Sequence, residues 1–475
     1  MSAKRWSAAE LIDLVLDADT FESWDDPIDI SGHADSYQDE LRAAAEKAGT
    51  DESVVTGRGV VRGRPVAFVI NEFRFLGGTI GMAAAHRIVA AVRRATAESL
   101  PLLATTASGG TRMQEGTPAF WQMVEISRAV MAHREAGLPY LVHLRHPTTG
   151  GVFASWGSLG HVTVAEPGAL VGFLGPKVYE ALNGEPFPEG VQRAENLRDH
   201  GVIDAVVSTE QLPTLIDLAL GVLVDPPTPP AIEVRDVEAP PREVWESVEL
   251  TRAETRAGVR DLTRYAASNT LALNGTEQGE RDSSVIVALT RLDGRPCVLV
   301  GQDRLRQTPS SPLGPAALRQ AQRGMALAET LGLPLVTVVD TPGAELSPAA
   351  EEGAVAGEIA RCIATLTRMT VPTVSVILGQ GCGGGALALL PAAHVVATSN
   401  AWLSPLPPEG ASVIVHGDVE HAPAMAEAQG VDAASLHRAG IVDTVVPELA
   451  SDGPEELARA VVAVVRRALD AQDVP

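Results

Sequence analysis

The sequence predicts an α/β protein built of two related lobes, and three observations carry that expectation. The first is an internal repeat. Leu100-Pro101-Leu102 returns 233 residues later as Leu333-Pro334-Leu335. The same offset carries Ile80-Gly81 onto Leu313-Gly314, Ser108-Gly109-Gly110 onto Thr341-Pro342-Gly343, Leu138-Pro139 onto Val371-Pro372 and Gly150-Gly151 onto Gly383-Gly384. With slight drift, Gly63-Arg64-Pro65 recurs as Gly294-Arg295-Pro296, and Gly201 to Val207 as Gly440 to Val446. The second observation is the pattern inside each copy. An apolar run such as LPLLATT or LPLVTVV leads into a glycine-bearing turn and then a long alanine-rich segment, which predicts parallel strands with helices packed on them. The third is the stretch Asp225 to Pro241, DPPTPPAIEVRDVEAPP, whose proline density favours extended chain over a packed element. It divides the chain into lobes 1–224 and 242–475 with a linker, 225–241, between them. Ala34 to Val55 reads as an amphipathic helix and an extended lead-in to the first copy.

Composition narrows the function classes. The chain has 475 residues, with 60 acidic side chains against 37 Lys plus Arg and a net charge of -23. Such a field repels phosphate backbones and anionic lipid, so nucleic-acid and membrane-surface roles are disfavoured. An anionic ligand must be caught by local Arg or by backbone N–H groups. Aromatic residues make up only 4% of the chain, which argues against a base-stacking surface. Cys297, Cys362 and Cys382 stand far apart, so neither a disulfide framework nor a metal knuckle is expected, and a reduced, cytoplasmic setting is. Glu10 and Asp13 interrupt the apolar positions near the start, which removes a signal-peptide reading, and no window is apolar enough for a membrane span.

The candidate chemistry lies in two glycine-rich turns per copy, each directly after an apolar strand. They are Ser108-Gly109-Gly110 and Thr148-Thr149-Gly150-Gly151 in the first copy. In the second they are Thr341-Pro342-Gly343-Ala344 and Gly381-Cys382-Gly383-Gly384-Gly385-Ala386. Glycine after a strand and before a helix lets N–H groups face a cleft with no Cβ in the way, and two facing turns make a two-donor oxyanion hole. Gly379 to Gly384 also satisfies GxGxxG, but Ala397 to Pro408 lacks the acid a dinucleotide fold wants there. The chain has no Walker A, HExxH or GxSxG sequence. Packed or surface roles are favoured for His143, His146 and His161, and capping or solvated roles for Glu115, Glu166 and Glu352. What remains is enolate stabilisation by backbone, with little demand for a side-chain acid or base.

These residues resemble a known family. SGGTRMQEGTPAFWQM (108–123), GLPYLVHLRHPTTGGVFASWGSLGHVTVAEPGALVGFLGP (137–176) and PEGVQRAENLRDHGVID (188–204) resemble the carboxyltransferase β subunit of acetyl-CoA carboxylase. DTPGAELSPAAEEG, GQGCGGGALAL and PLPPEGAS in the second copy look like its α subunit. Together they resemble a fused β-α acyl-CoA carboxylase carboxyltransferase of the kind common in actinobacteria. The resemblance implies two tandem crotonase-like lobes, the first taking acyl-CoA and the second carboxybiotin held on a biotin carboxylase or biotin carboxyl carrier partner. It implies transfer of the carboxyl group to the α-carbon of a short acyl-CoA, acetyl-CoA to malonyl-CoA above all, as in fatty acid biosynthesis. By position Gly150 and Gly151 would serve the thioester enolate, with Gly109 and Gly110 as the facing turn. Gly384, Gly385 and Ala386, with Gly343, would serve the biotin ureido oxygen, and Leu387 and Ala388 would help set acyl length. Arg193 and Lys177 stand where the family places cations near CoA phosphates. A hexameric ring of dimers is expected.

Two departures stand out. The cysteines of the zinc ribbon that often opens the β subunit are missing, so no zinc is expected. Gln302 to Pro312, QDRLRQTPSSP, does not keep the family's usual lead into the second lobe. Three other readings stay open: a biotin-dependent decarboxylase, a crotonase-type hydratase needing a carboxylate pair over the hole, and a non-catalytic paralogue that assembles with active subunits.

Overall fold

The computed structural model describes residues 4–473, apart from the side chains at 176 and 177. The chain forms two compact units. One runs to Leu220 and includes Glu277–Gly279; the other comprises Gly221–Thr276 and the chain from Glu280 on.

In the first unit the strands are β1 (Glu22–Ser23), β2 (Val54–Val61), β3 (Arg64–Asn71), β4 (Leu102–Ser108), β5 (Tyr140–Thr149), β6 (Val162–Ala165), β7 (Val171–Gly172) and β8 (Ala205–Val206). They form one sheet in the order β1-β2-β3-β4-β5-β6-β8, with β7 also paired to β5. In the second unit they are β9 (Ala267–Leu273), β10 (Val285–Leu292), β11 (Arg295–Gln302), β12 (Leu335–Thr341), β13 (Thr373–Cys382), β14 (His394–Thr398), β15 (Trp402–Ser404) and β16 (Thr444–Val446). Their order is β9-β10-β11-β12-β13-β14-β16, with β15 on β13. Both sheets open with an antiparallel hairpin and continue in parallel.

The repeat extends to the register. Leu102 pairs with Tyr140 and Ser108 with Thr148 in the first sheet; Leu335 pairs with Thr373 and Thr341 with Gly381 in the second. Each of these positions is displaced by the same 233 residues. Both ladders also shift register at the same place, just before Ser108 and just before Thr341. β4 and β12 are buried at every position. Parallel strands are covered by helices on both faces and are therefore apolar throughout, which is why LPLLATT and LPLVTVV do not alternate. In the first unit the helix Met82–Ala97 buries Ala84, Ala85, Ile88 and Val92 against the sheet, and in the second Pro454–Gln472 buries a wider face that includes Leu457, Val461, Val465 and Leu469. Burying each of these Ile, Leu and Val side chains contributes about 1.5–3 kcal/mol, and each alanine less.

The lead-in Ala34 to Val55 holds the helix Asp35–Ala48 followed by β2. The proline-rich stretch has neither helix nor strand, yet it is tied along the second unit. The Thr228 N–H donates to the Gly294 carbonyl at 3.2 Å, the Ala231 N–H to Asp293 at 3.0 Å, and Arg235 pairs with Asp452 at 2.6 Å. Proline pre-sets the extended backbone, and these few polar contacts suffice to fix its course. Among the described residues no helix is long and apolar enough to cross a membrane.

Gly324 shows how closely the helix Pro315–Leu331 approaches its sheet: a Cβ there would stand 2.4 Å from Val300 Cγ2 and 3.1 Å from Val287 Cγ1. Gly324→Val is expected to destabilise the fold by about 1–3 kcal/mol through overpacking. A lowered thermal midpoint is the expected reading; a midpoint at or above that of the parent contradicts this account of the interface.

Candidate functional site

In the first unit β4 ends at buried Ser108, whose hydroxyl accepts the Gly110 N–H at 3.0 Å. The Gly109 N–H donates to the Gly77 carbonyl at 3.0 Å. β5 ends in the facing turn, where the Gly150 N–H donates to the Phe173 carbonyl at 3.0 Å and the Gly172 carbonyl at 3.2 Å. The two turns meet backbone to backbone. A Cβ on Gly110 would stand 3.3 Å from the Thr149 carbonyl oxygen and 3.4 Å from both Gly150 Cα and Gly151 N. Gly110 and Gly150 have φ of 103° and 64°, so glycine is required twice over, for space and for conformation.

Three of the four glycine N–H groups expected as donors are therefore already engaged. Gly151 keeps an N–H with no acceptor among the described residues. So does Thr111, a residue the sequence did not single out. Thr111 bridges Ile80 in parallel; the Ile80 N–H donates to the Gly110 carbonyl and the Arg112 N–H to the Ile80 carbonyl, both at 2.9 Å. Strand geometry then turns the Thr111 N–H to the opposite side. Only the spatial pairing of Ile80 with Thr111 discloses this.

The second unit repeats the construction. Leu313 bridges Ala344 as Ile80 bridges Thr111. The Gly343 N–H is engaged by the Thr341 hydroxyl at 3.1 Å, and the Ala344 N–H has no acceptor among the described residues. Gly384 and Gly385 stand in the first turn of the helix Gly383–Leu387, where N–H groups have no intrahelical acceptor. A Cβ on Gly385 would lie 3.0 Å from Ala344 N and 3.3 Å from the Gly343 carbonyl carbon. A cavity of about 450 Å³ adjoins this turn, lined by Gln307, Thr308, Pro312, Leu313, Gly343 and Ala344. Ala386 and Ala388 are fully buried, whereas Leu387 is 46% exposed, so of these three Leu387 presents a side chain to solvent.

Ionised groups hold the first turn in place. Arg112, fully buried over the Phe75 ring, pairs with Glu52 and at 3.2 Å with Glu115. Glu115 also accepts the Met82 N–H, at the start of the helix Met82–Ala97, and the Tyr37 hydroxyl at 2.7 Å. Burial pushes its carboxyl up, but the Met82 N–H, Tyr37 and Arg112 outweigh that and hold it below the usual carboxylate range. Glu115 is thus a cap and an ion-pair partner. Glu166 accepts the His146 N–H at 3.1 Å, and Glu352 is exposed at the end of a short helix. His143 and His161 are buried, and desolvation, with nearby Arg charge, pushes both down to about 3. His146 accepts the Leu170 N–H at 3.0 Å.

Arg193 is exposed and donates to the Gly168 carbonyl at 2.7 Å; the Lys177 side chain lies outside the described residues. Another group of cations, which the sequence did not single out, lies near the first turn. Arg5, Lys47 and Arg74 line a cavity of about 730 Å³ with Trp6, Phe73 and Gly77, and the acids Glu40 and Glu72 line it too. Gly77 is the residue whose carbonyl holds the Gly109 N–H, so this cavity adjoins the first turn. The only signal was scarcity: three lysines in the whole chain, one of them Lys47, and a basic residue inside FRF just before Leu76-Gly77-Gly78.

Glu115→Gln is expected to lower stability at neutral pH by about 1–3 kcal/mol, since a charge-assisted set of bonds is weakened. A carboxyl depressed by folding stabilises above its unfolded value, near 4.3, and loses that effect as pH falls through the folded value. The gap in thermal midpoint between parent and variant should therefore shrink below about pH 4. A gap that widens on acidification contradicts the assignment.

With the geometry described, known proteins can be compared. Residues 5–475 match the family model for the carboxyl transferase domain. A "Probable biotin-dependent acyl-coenzyme A carboxylase beta3 subunit" of Mycobacterium tuberculosis is 56% identical over 457 residues, covering 96% of this chain and 92% of the relative. The "Acetyl-coenzyme A carboxylase carboxyl transferase subunits beta/alpha" of Salinispora tropica is 39% identical, covering 92% of this chain and 81% of the relative. Among solved structures, that of transcarboxylase 12S, described with hydrolysed methylmalonyl-coenzyme A bound, superposes with a TM-score of 0.79 at 21% identity, covering 99% of this chain and 90% of that one. A single-chain, multi-domain long-chain acyl-CoA carboxylase superposes with a TM-score of 0.76 at 20% identity, over 98% of this chain and 46% of that one. Each unit is accordingly a crotonase-like lobe, and the chain belongs to the carboxyl transferase domain family of the biotin-dependent acyl-CoA carboxylases.

Proposed function

We propose that the protein moves a carboxyl group from carboxybiotin, borne by a separate carrier subunit, to the α-carbon of a short acyl-CoA, with acetyl-CoA to malonyl-CoA as the leading pair. One observation carries the reading: each unit holds two glycine turns in backbone contact that leave N–H groups with no acceptor among the described residues.

In the first unit the N–H groups of Gly151 and Thr111 would hold the thioester oxygen as its charge grows in the enolate, each donor being worth about 3–4 kcal/mol at the transition state. Gly109, Gly110 and Gly150 shape the turn and leave the donating to Gly151 and Thr111. In the second unit the N–H groups of Ala344, Gly384 and Gly385 would hold the ureido oxygen of biotin. The fit rests on Gly385, where a Cβ would fill the space against Ala344. Carboxybiotin supplies the carboxyl group and, once that has left, a basic nitrogen able to take the α-proton. No side-chain base is then needed, in keeping with Glu115, whose carboxylate is committed to Met82, Tyr37 and Arg112. That commitment disfavours the hydratase reading, which requires a free carboxylate over the hole.

Arg5, Lys47 and Arg74 would take the CoA phosphates, with Trp6 and Phe73 offering rings to its adenine. Arg193 stays an outlying, exposed cation. Exposed Leu387 would face the substrate; Ala388, being buried, would act only by packing. A biotin carboxylase or carrier partner, a hexameric ring of dimers, a cytoplasmic setting and a role in fatty acid biosynthesis complete the reading; the transcarboxylase 12S description names a hexamer for that protein.

Purified protein combined with its biotinylated carrier, the biotin carboxylase that charges it, ATP and labelled bicarbonate should fix label into acyl-CoA only when acetyl-CoA or propionyl-CoA is added. Failure with every carrier subunit from the same source overturns the proposal. Gly151→Ala, whose methyl would stand 3.2 Å from Met123 and 3.3 Å from the Thr111 hydroxyl, should lower kcat by roughly 10–100-fold. Arg74→Ala should instead raise the KM for acyl-CoA by about tenfold at nearly unchanged kcat, because it removes binding felt equally by ground and transition states.

A further inference from the structure

Gln302 is the last residue of β11 and is fully buried. Its side-chain Nε2 donates to the Gly385 carbonyl at 2.7 Å, and its Oε1 accepts the Asp340 N–H at 3.1 Å. A carbonyl on one side and an N–H on the other fix which way the amide must lie. Gln307 continues the chain of bonds. Its Nε2 donates to the Asp340 carbonyl at 3.0 Å, and its Oε1 accepts the Thr341 hydroxyl at 2.6 Å. That hydroxyl accepts the Gly343 N–H at 3.1 Å. The fully buried Asp340 carboxylate accepts the Gln380 N–H at 3.0 Å and faces Arg304 at 3.2 Å. An unbroken series of bonds thus runs from Gly385, in one turn, through Gln302, Asp340, Gln307 and Thr341 to Gly343 in the facing turn.

The sheet ladder cannot do this. Between β12 and β13 the register shifts from Val339 to Thr341, just where the turns begin, so regular pairing stops specifying their separation. In the first unit the corresponding strand end is Asn71, which pairs with Val54 as Gln302 pairs with Val285. Asn71 is one methylene shorter, and its amide reaches the Ser53 carbonyl at 3.3 Å and the Gly78 carbonyl at 3.5 Å, not the facing turn. The brace therefore belongs to the second unit alone. Both glutamines come from the segment QDRLRQTPSSP.

We propose that Gln302 is a positioning residue for carboxyl transfer: with Gln307 it forms one brace that sets the spacing of the Ala344 N–H from those of Gly384 and Gly385. This rests on the second unit being the carboxybiotin side. Hole donors must stand within a few tenths of an ångström of the oxygen they stabilise, and a slip of about 1 Å costs roughly 100-fold in rate.

The test compares Gln302→Leu, Gln302→Glu, Gln307→Leu and the double variant Gln302→Leu/Gln307→Leu in carrier-dependent carboxylation, alongside acyl-CoA affinity by calorimetry and thermal midpoint. Gln302→Glu keeps the acceptor for Asp340 but sets a carboxylate against the Gly385 carbonyl; being nearly isosteric, it carries the test if Gln302→Leu fails to fold. The expected result is a kcat lowered about 10–100-fold in each single variant, with acyl-CoA affinity within twofold of the parent. The double variant should be no worse than the poorer single one, because one brace is broken once. Parent-like kcat in Gln302→Glu, additive losses in the double variant, or a matching loss of acyl-CoA affinity each overturn the proposal. An inactive parent enzyme would instead overturn the carboxyltransferase reading on which it rests.

Discussion

The proposed chemistry depends on a backbone-to-backbone approach. In each unit two strands end side by side, and the turns that follow come so close that a single methyl group, on Gly110 or on Gly385, would press them apart. That approach sets backbone from two different elements side by side, the arrangement the proposed oxyanion hole requires. Polypeptide does not do this unaided. The peptide dipoles of neighbouring turns must be held against their tendency to relax toward water, and the fold supplies buried polar groups for that purpose.

The two units solve the same problem with different chemistry. In the first, charge does the holding: Arg112 gathers Glu52 and Glu115, and Glu115 in turn caps the helix Met82–Ala97, so that turn, helix and ion pair move as one. In the second, neutral amides span the gap, while the buried pair of Asp340 and Arg304 anchors the strand beneath. Buried ion pairs are dubious sources of net stability, since desolvation offsets attraction, but they tolerate few alternative geometries. Both devices trade stability for a fixed spacing of donors.

Charge organisation follows a similar division. An acidic chain that binds an anionic coenzyme, as proposed, needs attraction confined to one place. Arg5, Lys47 and Arg74 would provide it around a cavity that adjoins the first turn and that Glu40 and Glu72 also line. Charges more than about 8–10 Å away are largely screened in physiological salt, so the net charge of the molecule does not decide the field there.

The sequence by itself determined the duplication, the parallel sheets, the place of all four turns and the family. These follow from short-range regularities: offset repeats, continuous apolar runs, and glycine where a strand meets a helix. Even the shift of register before Ser108 and Thr341 is repeated at the same offset. Which N–H groups remain free was decided only by tertiary structure. Gly109, Gly110, Gly150 and Gly343 looked like donors because glycine marks open backbone, yet their N–H groups are engaged by Gly77, Ser108, Phe173 and Thr341. Thr111 and Ala344 carry no such mark, and their bridges to Ile80 and Leu313 leave their N–H groups with no acceptor among the described residues. The basic cavity draws Arg5, Lys47 and Arg74 from three separate elements, and the brace joins Gln302 to Gly385 across 83 positions. The physical reason is common to all of these. A hydrogen bond is satisfied or left open by whatever the fold brings alongside it, and only where the partner is a close neighbour in sequence can the sequence disclose which.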